Sequence, residues 1–344
     1  MEKLNITGLT LEEMEQLMAS IGQPKYRADQ LFTWLYKKRI DSLEQVTVFS
    51  KELRRQLSES LNIGHLKIER QQVSSDGDTN KFLFRLKDDH FVESVYIVEG
   101  KRRTICLSTQ VGCALGCNFC ATGNMGFKRN LSVGEIVDQL LTILKTLKVD
   151  ATNIVFMGMG EPFLNYDNVM KACEVISHSD GLAIGRRKIT ISTAGIIPKI
   201  KQFADECCGY KLAISLNAPD DKKRTQLMPI NKKYPINELV NAGKYYASKS
   251  RHLFTFEYLM IAGVNDSEDD ARKFKRLFKG VRCKINIIPF NSTDGELKPP
   301  TEKKIDAFIK QLLDLKIIIS VRRSKGADID AACGQLYHRY EDDF

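Results

Sequence analysis

Apolar positions at the start of the chain recur at helical spacing. Leu11, Met14, Leu17, Met18 and Ile21 fall on one face behind Thr10-Leu11-Glu12-Glu13, a pattern in which threonine and glutamate cap each other's backbone amides. A short helix ending near Gly22 is predicted. Residues 26–39 repeat the period with Leu31, Phe32, Leu35 and Tyr36, and place Lys37, Lys38 and Arg39 in the last turn, where cations suit the helix dipole. Residues 50–61 predict a third helix, so 1–65 reads as a small helical module with a basic rim. From Leu66 the period drops to two: 67–73, 81–86, 91–98 and 103–108 alternate as short strands split by Ser-Asp-Gly-Asp and Glu-Gly-Lys turns, making 66–105 a β extension.

Beyond Cys120 strands and helices alternate. Ser132-Val133-Gly134-Glu135 is a second capping box, opening a helix with Ile136, Val137, Leu140, Leu141, Leu144 and Leu147 inward. Apolar strands at 153–157, 188–192, 211–216, 253–260, 283–288 and 317–322 then separate helices at 165–178, up to about 203, 236–249, 267–279 and 301–315. Such repetition predicts an α/β fold with a parallel sheet covered by helices, either a barrel or a doubly wound sheet. Functional residues are then expected at the strands' C-terminal ends.

Composition narrows the class. A length of 344 residues with 43% hydrophobic and 28% charged positions is ordinary for a globular chain of about two domains. The longest apolar runs, 285–290 and 317–320, fall far below the roughly 18 residues that span a bilayer. The opening Met1-Glu2-Lys3-Leu4-Asn5 lacks the basic-then-apolar order of a signal peptide, so a cytoplasmic protein without membrane partners is expected. A net charge of +9 favours a polyanionic partner. Nine cysteines in a reducing compartment are not a disulfide framework and sort by spacing instead.

That sorting singles out Cys113-Ala114-Leu115-Gly116-Cys117-Asn118-Phe119-Cys120, three thiols within eight residues directly after a strand. A structural zinc site needs a fourth ligand and would recruit Cys106, giving a zinc-stapled RNA-binding protein without catalysis. A four-iron cluster held by three cysteines instead leaves one iron open to chelate a small molecule.

The same run resembles the radical S-adenosylmethionine (SAM) signature, and Gly158-Met159-Gly160-Glu161-Pro162 resembles that superfamily's SAM-binding turn. With Cys106, Ala121-Thr122-Gly123, Ile191-Ser192-Thr193-Ala194-Gly195, Leu227-Met228-Pro229-Ile230-Asn231 and the segment 328–336 around Ala331-Ala332-Cys333-Gly334, the chain resembles the RlmN/Cfr family of RNA methyltransferases over nearly its whole length. The resemblance implies a partial (β/α)6 radical SAM barrel in 106–344, ending in a catalytic-cysteine segment. It implies a [4Fe-4S] cluster on Cys113, Cys117 and Cys120, and two SAM molecules per turnover. Cys333 would carry the methyl group, Glu93 would act as base and Cys106 would resolve the protein–RNA adduct. SAM contacts are implied at Gly160, Glu161, Ser192, Ser215, Leu216, Asn217 and Asn291, with Asn217 standing where many members carry His.

The implied partners are 23S rRNA in the peptidyl-transferase region, tRNA at the adenosine following the anticodon, and an electron donor such as flavodoxin or ferredoxin acting on a monomer. Pro162 and Ile288-Pro289-Phe290-Asn291 look more like the RlmN branch, which methylates adenine C2, than the Cfr branch, which methylates C8. Arg186-Arg187-Lys188, Lys222-Lys223-Arg224, Lys232-Lys233 and Arg322-Arg323 are candidate RNA contacts around a flipped adenine, whereas Cys173, Cys207, Cys208 and Cys283 read as structural.

Overall fold

The computed structural model describes residues 3–206, 209–291, 297–315, 317–323 and 329. Ten strands form one sheet: β1 (Lys67–Val73), β2 (Thr79–Arg85), β3 (Phe91–Glu99), β4 (Arg102–Cys106), β5 (Asn153–Phe156), β6 (Ile189–Thr193), β7 (Lys211–Ser215), β8 (Thr255–Met260), β9 (Lys284–Pro289) and β10 (Ile318–Val321). They lie side by side in chain order, with β1 and β10 at the two edges. β1 to β4 pair antiparallel, and β4 to β10 pair parallel throughout. β4 is therefore the strand at which the sheet changes sense.

Parallel neighbours need a crossover, and each of the six between β4 and β10 contains a helix. These are Val133–Leu147, Tyr166–Ser177, Ile197–Asp205, Ile236–Lys249, Glu268–Phe278 and Glu302–Lys310, with a short Asp221–Leu227 helix added after β7. The six strand–helix units expected from the periodicity are present, and the fold is α/β with a mostly parallel sheet. The strands of 66–105 continue the same sheet, because β3 and β5 pair with opposite edges of β4.

The N-terminal module consists of Leu11–Ser20, Tyr26–Phe32 and Lys51–Ser60. Both expected capping boxes form: Glu13 N–H donates to Thr10 Oγ1 at 3.2 Å and Thr10 N–H to Glu13 Oε2 at 2.9 Å, and Ser132 and Glu135 exchange the same pair. The helix expected over 26–39 differs. It widens at Thr33–Lys37 into a π turn in which Lys38 N–H reaches Thr33 O at 3.1 Å. Tyr36 lies in that turn, buried, with its hydroxyl accepting from Gly8 N–H at 3.0 Å and donating to Leu9 O at 2.9 Å.

One apolar core runs from Met14, Phe32 and Leu57 of the module through Ile136 and Ile143 to Ile154, Phe256 and Ile287 of the sheet. Backbones meet where the module joins the barrel, since a Cβ on Gly8 would lie 2.4 Å from Gly134 N. Among the described residues no helix is long and apolar enough to cross a membrane.

Candidate active site

The cysteine loop grows from a short antiparallel ribbon, Gln110–Gly112 against Phe127–Asn130, just beyond β4. Its base requires glycine: Gly112 has φ +69°, and a Cβ there would lie 1.7 Å from Gly126 O, the acceptor of Cys113 N–H at 3.0 Å. Within the loop Cys120 N–H donates to Cys117 O at 3.0 Å, and the far side docks through Asn118 N–H to Leu227 O at 3.0 Å. Cys117 is buried in an apolar cluster with Ala194, Ala218, Leu227, Met228, Ile261 and Phe290. Burial lifts the Cys113 thiol to about 11 and pushes Cys117 higher still, with neighbouring Cys120 and Glu161 adding to both.

Thiols in such a setting stay protonated until a cationic centre replaces the proton. Among the described residues no three His, Cys, Asp or Glu side chains surround a single point as the ligands of one metal ion do. A four-iron cluster distributes its thiolates over separate irons, so three cysteines on one apolar loop fit that group.

Next to the loop, the turn after β5 is bonded to the strand beside it. Gly160 has φ +95°, and a Cβ on it would stand 2.5 Å from Gln110 Cβ. Glu161 is buried; its N–H donates to Gln110 Oε1 at 2.8 Å, while its carboxylate accepts from Ala194 N–H at 2.7 Å and Phe163 N–H at 3.0 Å. Burial outweighs those donors and raises its carboxyl to about 6. The side chain thus ties the end of β5 to the end of β6.

The remaining expected SAM positions fall where the sheet predicts them, at C-terminal strand ends. Ser192 Oγ donates to Glu257 Oε2 at 3.2 Å, and burial raises the Glu257 carboxyl. Asn217 occupies the left-handed region at φ +58°, its Oδ1 accepting from Leu259 N–H at 2.9 Å and its carbonyl from Asn265 at 2.8 Å. Asn291 follows β9, half-buried.

Arg224 was not recognisable as part of this site from its basic run. It is fully buried, with Nε donating to Leu216 O at 3.0 Å, Nη2 to Ala194 O at 2.7 Å and Ser215 O at 3.0 Å, and Nη1 to Asn231 Oδ1 at 2.9 Å. Desolvation lowers its guanidinium to about 10, opposed by the nearby Cys117. This corrects its reading as an RNA contact. Lys223 pairs with Asp270 at 2.7 Å. Arg186, Arg187 and Lys188 sit at the N-terminal start of β6, the end of the sheet away from the cysteine loop. Lys232 and Lys233 are exposed beyond β7.

Glu93 and Cys106, thirteen positions apart in the chain, come together on one face. Cys106 is the register partner of Val95 across β3 and β4, and Glu93 lies two residues along β3 on the same side. The opposite side of β3 belongs to the helices, because Ser94 Oγ donates to Gln139 Oε1 at 2.6 Å. Gln139 also accepts from Ser108 N–H at 3.0 Å and donates to Ser108 O at 3.1 Å, fixing the backbone behind both residues. Lys81 on β2, also opposite Val95, places Nζ 3.0 Å from Glu93 Oε2, with both side chains buried. Neither Lys81 nor Gln139 carries a local sequence signal, since each depends on pairing between distant segments. Cys173 and Cys283 are buried in the main core. Cys333, Cys207 and Cys208 lie outside the described residues.

Comparison with known proteins bears on the whole chain. A model of the radical SAM superfamily matches residues 107–274, and a model of the ribosomal RNA large subunit methyltransferase N-terminal domain matches 4–63. The chain is 47% identical, over 98% of each partner, to a probable dual-specificity RNA methyltransferase RlmN of Thermoanaerobacter sp. strain X514. It is 44% identical to the dual-specificity RNA methyltransferase RlmN of Geobacter sulfurreducens, over 97% of this chain and 92% of that protein. A crystal structure of a radical SAM methyltransferase from Sphaerobacter thermophilus superposes with a TM-score of 0.92 at 42% identity, covering 96% of this chain and 98% of the other.

Proposed function

The chain belongs to the RlmN family of radical SAM RNA methyltransferases, and from that membership we propose that it methylates adenine C2 in 23S rRNA and in tRNA through a methylated cysteine. The observation that carries this reading is the placement of Glu93 and Cys106 on one inner face, on the strand pair that leads into the cysteine loop. A base and a thiol held together there suit a reaction that must take a proton from the substrate and then break a covalent bond to it.

Cys113, Cys117 and Cys120 would hold the [4Fe-4S] cluster, and Gly160, Glu161, Ser192, Ser215, Leu216, Asn217 and Asn291 would line the SAM position. When bound, these groups supply an electron, a transferable methyl group and a 5′-deoxyadenosyl radical. Adenine C2 has no lone pair, so ordinary displacement on a sulfonium methyl is closed to it. Cys333 has a lone pair as thiolate and takes the methyl by displacement. That methyl would lose a hydrogen atom to the deoxyadenosyl radical, its carbon would bond to C2, and the odd electron left on the adduct would pass back to the cluster. Glu93 removes the C2 proton. Cys106, as thiolate, attacks the Cys333 sulfur; the sulfur–carbon bond breaks with its electron pair on carbon, which takes up a proton to give the methyl group, and the Cys106–Cys333 disulfide left behind needs a thiol reductant before the next turnover.

Two variants test the assignment. Cys333→Ala is expected to acquire no methyl group and form no RNA adduct, because the carbon carrier is absent. Cys106→Ala is expected to be methylated and to stall covalently joined to RNA. Denaturing gels with nuclease digestion and intact mass read both outcomes, and mass mapping of released nucleosides distinguishes 2-methyl- from 8-methyladenosine. An adduct on Cys333→Ala, or none on Cys106→Ala under conditions where the wild type turns over, overturns the roles.

A further inference from the structure

We propose that Lys81 is the positioning residue that holds the Glu93 carboxylate aimed during proton removal, an inference that rests on the reading of Glu93 as base. The starting point is a sequence anomaly made visible by register. On β2, Lys81 shares a face with Leu83, and that face is the inner one because Lys81 opposes Val95 and Leu83 opposes Glu93. A lysine at such a position gives up its hydration entirely, its side chain being 0% exposed against 3% for Glu93. Burial of this kind is tolerated only with a counter-charge, and Glu93 Oε2 supplies one at 3.0 Å. The relation is mutual. The lysine Nζ in turn fixes the orientation of the Glu93 carboxylate through a charge-assisted contact that no water competes with.

Other groups that share this face or approach it have different tasks. Cys106 on β4 is the thiol, and Arg70 on β1, opposite Leu83, is exposed at the sheet edge. Glu93 is held from behind as well: its carbonyl accepts from Ser108 Oγ at 2.5 Å, and Ser108 Oγ in turn accepts from Met159 N–H at 2.8 Å. That bond fixes the main chain, while the lysine fixes the carboxylate. In the step concerned the C2–H bond of the adduct breaks, its electron pair stays in the ring system and its proton passes to Glu93. No oxidant or reductant is consumed in that transfer. Lys81 takes no part in the transfer and keeps its contact with Glu93 before and after.

The test compares Lys81→Met and Glu93→Gln in the full-length, cluster-loaded enzyme. Lys81→Met is expected to keep its iron content and its methylation on Cys333, to add to RNA, and to accumulate the adduct, with release slowed by roughly 100-fold or more, the scale of a lost general base. Glu93→Gln is expected to stall at the same point, and the double variant to be no slower than Glu93→Gln alone. Lys81→Arg, which keeps the charge, is expected to recover part of the release rate. Normal release from Lys81→Met while Glu93→Gln stalls overturns the role of Lys81 and leaves the base in place. Normal release from both overturns the reading of Glu93. Parallel loss of iron, Cys333 methylation and adduct formation in a folded Lys81→Met protein assigns Lys81 to the scaffold and overturns the proposal. If Lys81→Met does not fold, Lys81→Gln keeps a donor toward Glu93 without the charge, and wild-type release from it is equally decisive against the ammonium.

Discussion

At the scale of single residues, the site depends on two groups whose importance is steric or electrostatic and not catalytic. Arg224 satisfies the buried carbonyls of Ala194, Ser215 and Leu216, which end two neighbouring strands, and lies beside the thiol of Cys117. Arg224→Met leaves those acceptors without a donor, and removing one side of a buried charged network costs about 3–5 kcal/mol. The expected result is a urea midpoint shifted down accordingly and a sharp fall in bound iron, read by anaerobic melts and iron assay. Unchanged iron content and midpoint count against this role. Gly112→Ala is expected to act more locally. With φ +69° and Gly126 O 1.7 Å from the new Cβ, the base of the cysteine loop cannot close, so the brown charge-transfer absorption is lost while far-ultraviolet dichroism stays native. A fully reconstituted Gly112→Ala protein refutes it. The three cysteines were legible in the sequence because their spacing is local. Arg224 was not, since nothing in Lys222-Lys223-Arg224 says which of the three turns inward.

At the scale of elements, the helix Val133–Leu147 links the module, the sheet and the site. Its capping box, apolar stripe and length were all legible, because each is a short-range property. What it does with its polar residues was not. Gln139 clamps Ser94 and Ser108 behind the inner face, and Asp138, 2% exposed, accepts from the backbone of Leu66 where the module meets β1. Burial raises the Asp138 carboxyl from 3.8 to about 6, against the pull of Lys145 and His65. A raised carboxyl contributes stability in its protonated form, present below the unfolded value and lost as pH climbs through about 6. Asp138→Asn removes that titration. The stability of the variant relative to wild type is therefore expected to improve by roughly 2–3 kcal/mol between pH 4 and pH 7. Chemical denaturation at the two pH values measures the change, and a difference that does not move with pH shows that Asp138 is not the titrating group. The π turn at Thr33–Lys37 was equally illegible, because Tyr36 finds its partners at Gly8 and Leu9, which the helical period does not encode.

At the scale of the whole molecule, alternation of strands and helices was enough to count six crossovers, but it did not reveal how the antiparallel strands of 66–105 are placed. Their position follows from β4 accepting β3 on one edge and β5 on the other, a pairing between segments about 50 residues apart in the chain. The net charge of +9 was legible at once and sets an expectation for RNA: with about three phosphate contacts, a fourfold rise in salt weakens binding roughly 20-fold. SAM binding in the buried strand ends is expected to stay nearly constant over the same range, and equal sensitivity of the two would remove the basic surface from the account. The module 1–65 matches its own family model, yet it does not own a separate core. Phe32 packs edge-on against His178 at 4.8 Å, Asp41 pairs with Lys145 at 2.7 Å, and Gly8 meets Gly134 backbone to backbone. Because burial energy scales with the apolar area removed from water, neither part keeps its stability once the shared interface is opened. The full chain is expected to unfold in one calorimetric transition with equal van't Hoff and calorimetric enthalpies, and a 66–344 fragment to melt far lower or aggregate. Two resolved transitions, or a fragment as stable as the parent, show the module to be an independent domain, and only in that case does deleting it test its role in selecting RNA.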